Sequence, residues 1–155
     1  MCKLVEILNF EEGYREVPYL DSRGYPTVAG GIKIGPKGAA LSNYIFRVPE
    51  PVGIAWMTML LESKRAEMRA HPAIAAALLQ CNAARADILG SMAYQLGVEG
   101  LARFNQTLAL IANGDFSSAA EAMLNSLWAK QTPARARRHA LVMRSGTWDS
   151  YRGML

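Results

Sequence analysis

Cysteine is scarce. Cys2 and Cys81 are the only two in 155 residues, and their separation, with the first at the terminus, speaks against a disulfide scaffold. Histidine also occurs twice, as His71 and His139, neither with a ligand-like neighbour, so no metal site is expected. No apolar run approaches a membrane span, and stable insertion into a bilayer is not expected. The first residues have no long apolar core and no small-residue cleavage pattern. They read as a helix that begins at once, in a chain made and folded in the cytoplasm. The glycines from Gly30 to Gly38 are not followed by Gly-Lys-Ser/Thr, which argues against a phosphate cradle. Acid is scarce toward the end of the chain: from Lys130 onward, Lys130, Arg135, Arg137, Arg138, Arg144 and Arg152 are opposed by Asp149 alone. Such a face would attract an anionic polymer, although solvated helix faces with no partner explain it equally well.

Apolar residues make up 51% of the chain, enough for a real core in one domain or two small lobes. Glycine and proline crowd the part before residue 54; alanine, leucine and methionine dominate after it. Leu4, Ile7 and Leu8 fall at helical spacing and stop at Gly13. Val17 to Leu20 and Tyr25 to Val28 read as a hairpin around a turn at Asp21 to Gly24, with 32–34 as a third strand. A long helix over 52–70 carries Ile54, Met57, Leu61 and Met68 as a stripe. Trp56-Met57 and Met59-Leu60 read as core. Helices follow over 72–79, 83–96, 104–112 and 116–124. Thr132-Pro133, a capping hydroxyl and a first-turn proline, opens another that stops at Ser145-Gly146. Thr147 to Asp149 starts a last short turn. The expected fold class is α+β and mostly helical, with a small β-hairpin lobe.

Three polar side chains stand out in the first part. Glu12 ends the first helix beside its apolar row, where the negative end of the helix dipole disfavours a carboxylate; Glu11 is nearly as well placed by periodicity alone. Asp21 and Thr27 flank the hairpin turn. Two carboxyls in unlike environments and a hydroxyl suit water-dependent cleavage of a glycosidic bond. A surface acid at a helix end and an aspartate chosen by its turn is the plain structural alternative.

Glu12-Gly13, Asp21-x-x-Gly24-x-x-Thr27 and Gly31 resemble the active-site segment of T-even bacteriophage lysozymes, glycoside hydrolase family 24. The resemblance continues in order through Tyr94-Gln95-Leu96-Gly97, Gly100, Phe104, Trp128, Gln131-Thr132-Pro133, Arg135-Ala136 and Arg144-x-Gly146-Thr147-Trp148-Asp149-x-Tyr151. It is weak between residues 33 and 85. It implies a single lysozyme-like domain, 1–155. The N-terminal lobe would take about 13–55, a connecting helix about 52–70, and the C-terminal helical lobe about 71–155 together with helix 3–12. Glu12 would be the general acid, Asp21 the ionised carboxylate that holds the attacking water, and Thr27 its second anchor, with inversion at the anomeric carbon. Arg135 would lie close to Glu12 as support. Tyr94 and Thr107 match positions along a sugar-binding cleft, while Lys33 and Ala122 replace an apolar residue and an amide there.

Where the family reads Thr-x-Gly-x-Gly-His, this chain has Val28-Ala29-Gly30-Gly31-Ile32 after Thr27. The family's histidine pairs with an acid on the long helix, and Leu60 stands at the ungapped counterpart of that acid. Apolar groups replace both halves of the pair, a swap that can be neutral because desolvation cancels much of a buried pair's gain. The resemblance further implies a phage endolysin acting on peptidoglycan as a monomer without cofactor. It would be held in the host cytoplasm until a holin opens the way to the wall in the periplasm, and anionic envelope components would be secondary partners. A non-catalytic or virion-associated wall-binding domain of the same fold is the alternative. A nucleic-acid binder built on the arginine-rich end would leave the hairpin acids unexplained, and no nucleic acid partner is expected.

Overall fold

The computed structural model describes residues 2–155; Met1, the first residue of the 1–155 domain, lies outside the described residues. Leu4, Val5, Ile7 and Leu8 are buried along one side of α1 (Lys3–Glu12), the burial that three-four apolar spacing demands. Gly13 stops the helix at φ 71°, its N–H donating to the Asn9 carbonyl at 3.0 Å. The chain then forms an antiparallel sheet of β1 (Arg15–Leu20), β2 (Pro26–Ala29) and β3 (Ile32–Lys33), in that spatial order. Tyr19 stands opposite Thr27, Leu20 opposite Pro26, and Thr27 opposite Lys33. Pro18 has no N–H to give; it sits on an edge strand where the register slips between Arg15 and Tyr19, a place where proline removes little.

A turn of 3-10 helix at Leu41–Asn43 precedes α2 (Glu50–Ala70). The entry to α2 is held by Tyr14, whose hydroxyl lies 2.8 Å from the Val48 carbonyl and 3.0 Å from that of Pro49. Gly53 leaves the space this phenol fills, since a β-carbon there would meet the oxygen. Met57, Leu61 and Met68 are buried along α2, but Trp56 and Met59 are exposed rather than core, on faces the stripe does not reach.

The helices after α2 are α3 (Pro72–Gln80), α4 (Ala83–Ala102), α5 (Asn105–Ala112), α6 (Phe116–Leu124), α7 (Leu127–Gln131) and α8 (Pro133–Ser145), with a closing 3-10 turn at Asp149–Tyr151. The fold is therefore α+β and mostly helical with one small sheet, as the sequence predicts. Several details differ. The break expected at Gly97 is a kink (φ 77°, ψ 161°), beyond which α4 runs on. The short α7 is not expected from the sequence; Ser126 caps it by accepting from the Ala129 N–H. Thr132 precedes α8 but makes no side-chain cap; its hydroxyl donates instead to the Trp128 carbonyl at 3.0 Å. Among the described residues no helix is long and apolar enough to cross a membrane. The chain divides into two compact units, Met1–Leu60 and Leu61–Leu155, and the division falls inside α2.

Candidate active site

In the first unit, strand alternation decides which side chains share a surface. Partners across a ladder point the same way, so Tyr19, Thr27 and Lys33 occupy one face of the sheet. Asp21 follows Tyr19 by two residues and Tyr25 precedes Thr27 by two. Lys33 Nζ lies 4.3 Å from the centre of the Tyr25 ring, in keeping with that shared face.

The turn is built around Asp21. Its Oδ1 accepts the N–H groups of Arg23 and Tyr25, both at 2.9 Å. Main-chain bonds close the same turn, from the Asp21 N–H to the Tyr25 carbonyl and from the Gly24 N–H to the Asp21 carbonyl, each 3.0 Å. One carboxylate oxygen is thus committed to structure, and Oδ2 has no hydrogen-bond partner among the described residues. Thr27 is 2% exposed and donates its hydroxyl proton to the Tyr25 carbonyl at 2.8 Å. With its proton used, that oxygen has only lone pairs to offer a further group.

Glu12, half-buried at the end of α1, lies across the β2–β3 turn: a β-carbon on Gly31 would stand 3.0 Å from its Cγ and Oε2. Gly31 also has φ 82°, so glycine is required there for two separate reasons. Opposite Thr27 stands a residue that does not stand out in the sequence. Tyr19 is half-buried, with the Arg15 guanidinium 4.4 Å from its ring centre. Burial, and then the charge of Glu12, raise its phenol above the ordinary value; Arg15 opposes this and Asp21 adds to it. One hydroxyl therefore feels both carboxylates. No hydrogen bond engages that hydroxyl among the described residues.

In the second unit Thr107, on α5, lines an open cleft of about 960 Å3 with Phe104, Trp128 and the amides of Asn105, Gln106, Asn125 and Gln131. Ala122 also lines it. Tyr94, half-buried on α4, is not among the lining residues; its neighbour Gln95 accepts from Trp128 Nε1 at 2.9 Å. Arg135 is buried and donates through Nη2 to Ser91 Oγ at 2.9 Å. Ser91 Oγ lies 2.8 Å from His139 Nε2, and His139 Nδ1 lies 2.7 Å from the Tyr151 hydroxyl. Burial, reinforced by Arg135 and Arg138, holds His139 well below the usual histidine range, so the ring is neutral. Nothing local in the sequence points to this chain of bonds, because Ser91 and His139 are 48 positions apart.

The C-terminal cations are also less available than their number suggests. Arg135 is buried, Arg144 pairs with Glu121, and Arg152 pairs with Asp149 at 2.5 Å. Glu121 comes from α6, just ahead of the run of cations that begins at Lys130.

No family model matches the chain. Over 164 residues it is 31% identical to the pre-baseplate central spike protein Gp5 of Enterobacteria phage T4, a match that takes in 96% of this chain and 28% of that one. It is 24% identical over 169 residues to the probable T4-type lysozyme 1 of Dictyostelium discoideum, covering 98% of this chain and 99% of the other. A shorter match, 34% over 64 residues, joins it to the probable T4-type lysozyme 2 of the same organism, with 41% and 38% covered. The chain thus spans little more than a quarter of the spike protein and nearly the whole of the first amoebal relative.

Proposed function

We propose that this chain, T4-type lysozyme-like along its whole length, is a muramidase that hydrolyses the β-1,4 bond between N-acetylmuramic acid and N-acetylglucosamine in peptidoglycan. The support comes from one arrangement: Asp21 and Thr27 both bond the Tyr25 main chain, one through its N–H and the other through its carbonyl, and Glu12 lies against Gly31 just past β2. Glu12 gives its proton to the glycosidic oxygen as the bond to the anomeric carbon breaks. A water held by Asp21 Oδ2 and the lone pairs of Thr27 attacks that carbon from the opposite side and loses a proton to Asp21. The Asp21 carboxylate also opposes the positive charge that builds on the sugar ring. A carboxyl pair with room for a water between gives inversion. In the second unit, the Thr107 cleft offers sugar contacts of its own.

Glu12→Gln keeps the shape and removes the proton. Clearing of permeabilised Gram-negative cells by the variant should fall by at least about a hundredfold; equal clearing by variant and wild type would overturn the assignment. NMR of the first-formed product should show the anomer opposite to that of the substrate.

The biological role that fits is host lysis by an endolysin. It would act as a monomer, wait in the host cytoplasm and reach the wall through a holin-made opening, with anionic envelope components as secondary contacts. A second reading has support of its own: a spike protein carries a related segment as 28% of its length, which favours a virion-borne wall hydrolase. Immunodetection in purified particles, against the free pool at lysis, separates the two.

A further inference from the structure

We propose that Lys33 is a specificity-determining residue: with Arg23 and Lys37 beside it, its ammonium takes a carboxylate carried on the lactyl arm of the muramic acid under attack. This rests on the muramidase reading above.

Arg23, Lys33 and Lys37 come from the hairpin turn, from β3 and from the loop beyond it, and all three are exposed. The fold gathers them at one end of the sheet. Lys33 Nζ lies 4.3 Å and Arg23 Cζ 6.0 Å from the centre of the Tyr25 ring, and a β-carbon on Gly24 would stand 3.8 Å from Lys37 Cγ. None of the three forms an ion pair among the described residues. Asp21, in the same turn, spends Oδ1 on the N–H groups of Arg23 and Tyr25. Like charges gathered without paired acids raise the local potential, and a bound anion relieves it. A ring face holds an exposed cation only weakly, so the ammonium can exchange it for a carboxylate.

Lys33 is the ladder partner of Thr27, so its side chain leaves β3 on the face that bears Thr27. The bond that a muramidase breaks starts at the anomeric carbon of muramic acid. That ring is therefore the one set against the water held by Asp21 and Thr27. It differs from glucosamine by a lactyl ether that ends in a carboxyl group. The carboxyl is a free anion on a bare strand; where a peptide is attached it is an amide, and the peptide brings carboxylates of its own. Either source presents an anion to the face where Lys33 stands, and a glucosamine ring presents none.

Three forms of one glycan separate the sources: strands with peptide, strands freed of it by an amidase, and freed strands whose lactyl carboxyls are converted to methylamides. Wild type should show a KM about three- to tenfold lower on a carboxylate-bearing form than on the methylamide. In Lys33→Met that ratio should disappear, and Lys33→Arg should restore most of it. The loss should appear in KM more than in kcat, because the carboxylate is held alike before and during bond cleavage. Added salt should erode the wild-type preference. A merely structural lysine would move all three substrates together and leave the ratio intact. A ratio lost on bare strands alone assigns the lactyl carboxylate, and one lost on peptide-bearing strands alone assigns the peptide's; either supports the role. If wild type cleaves but treats the three forms alike, or Lys33→Met keeps the wild-type ratio, the role of Lys33 is refuted while the muramidase assignment stands. If wild type cleaves none of them, that assignment fails and this one with it.

Discussion

At the scale of single residues, Ala29 is where sequence and backbone disagree. It is fully buried and sits at φ 55°, the only non-glycine with positive φ among the described residues. Glycine adopts that conformation freely and alanine does not. Left-handed backbone costs an alanine roughly 1–2 kcal/mol, more than the roughly 0.8 kcal/mol a buried methyl returns. Ala29→Gly should therefore stabilise by up to about 1 kcal/mol and raise Tm by about 2–4 °C, as a thermal scan would show; a fall in Tm would mean that the methyl contact dominates.

What can be read residue by residue divides the same way. Glu12, Asp21 and Thr27 stand out because packing has little use for two acids and a hydroxyl spaced around a turn. Tyr19 does not, because an aromatic in a strand looks like ordinary hairpin packing until the register places it beside Thr27. Ser91 and His139 are invisible for a different reason: each is unremarkable in its own helix, and only the docking of α4 against α8 brings them together.

Between elements, the end of α8 shows how much one arginine can do. Arg85, on α4, donates through Nε to the Met143 carbonyl at 2.8 Å and through Nη2 to the Arg144 carbonyl at 3.2 Å. It meets orphan carbonyls at the negative end of the helix. The same guanidinium stacks on Phe116 of α6 at 3.6 Å and lies under Gly146, whose left-handed backbone closes α8. Asn82 adds a bond to the Gly146 carbonyl at 2.8 Å. Arg85→Ala should destabilise by about 2 kcal/mol in urea unfolding, the range of a charged hydrogen bond with its stacking. Arg85→Lys should recover less than half, since an ammonium lacks the fork; full recovery would show that charge alone suffices. Helix periodicity predicts α8 and its glycine stop, but not this clamp, which lies at the edge of the stretch where the family pattern fades. The short α7 escapes a periodicity search because five residues carry no periodic signal, although Ser126 offers its capping hydroxyl.

For the whole molecule, buried His139 sets how stability depends on acid. Its folded value lies below the unfolded one near 6.5. The neutral ring is therefore favoured by folding, and the stability it brings is complete above about pH 6.5 and declines as pH falls. The unfolded chain then holds one more proton than the folded one, and the slope approaches about 1.4 kcal/mol per pH unit for that proton. Thermal melts from pH 7 to pH 5 should fall accordingly, and His139→Gln should flatten that part of the curve whatever it does to the absolute Tm. An unchanged slope would place the acid sensitivity elsewhere. Since Tyr151, His139, Ser91 and Arg135 form one bonded chain, protonating the imidazole would cost it an acceptor that one of the two hydroxyls uses.

The division between the two units falls at 60/61, within a hydrogen-bonded helix and not in a loop. Neither half can be excised at a natural seam. A fragment ending at Leu60 would keep Met57 but lose Leu61 and Met68, and its severed helix would fray from the cut. The complementary piece would open on a helix with no residue to cap it. A protease in search of an unstructured link would find none at this junction, where the chain is helical on both sides of the cut.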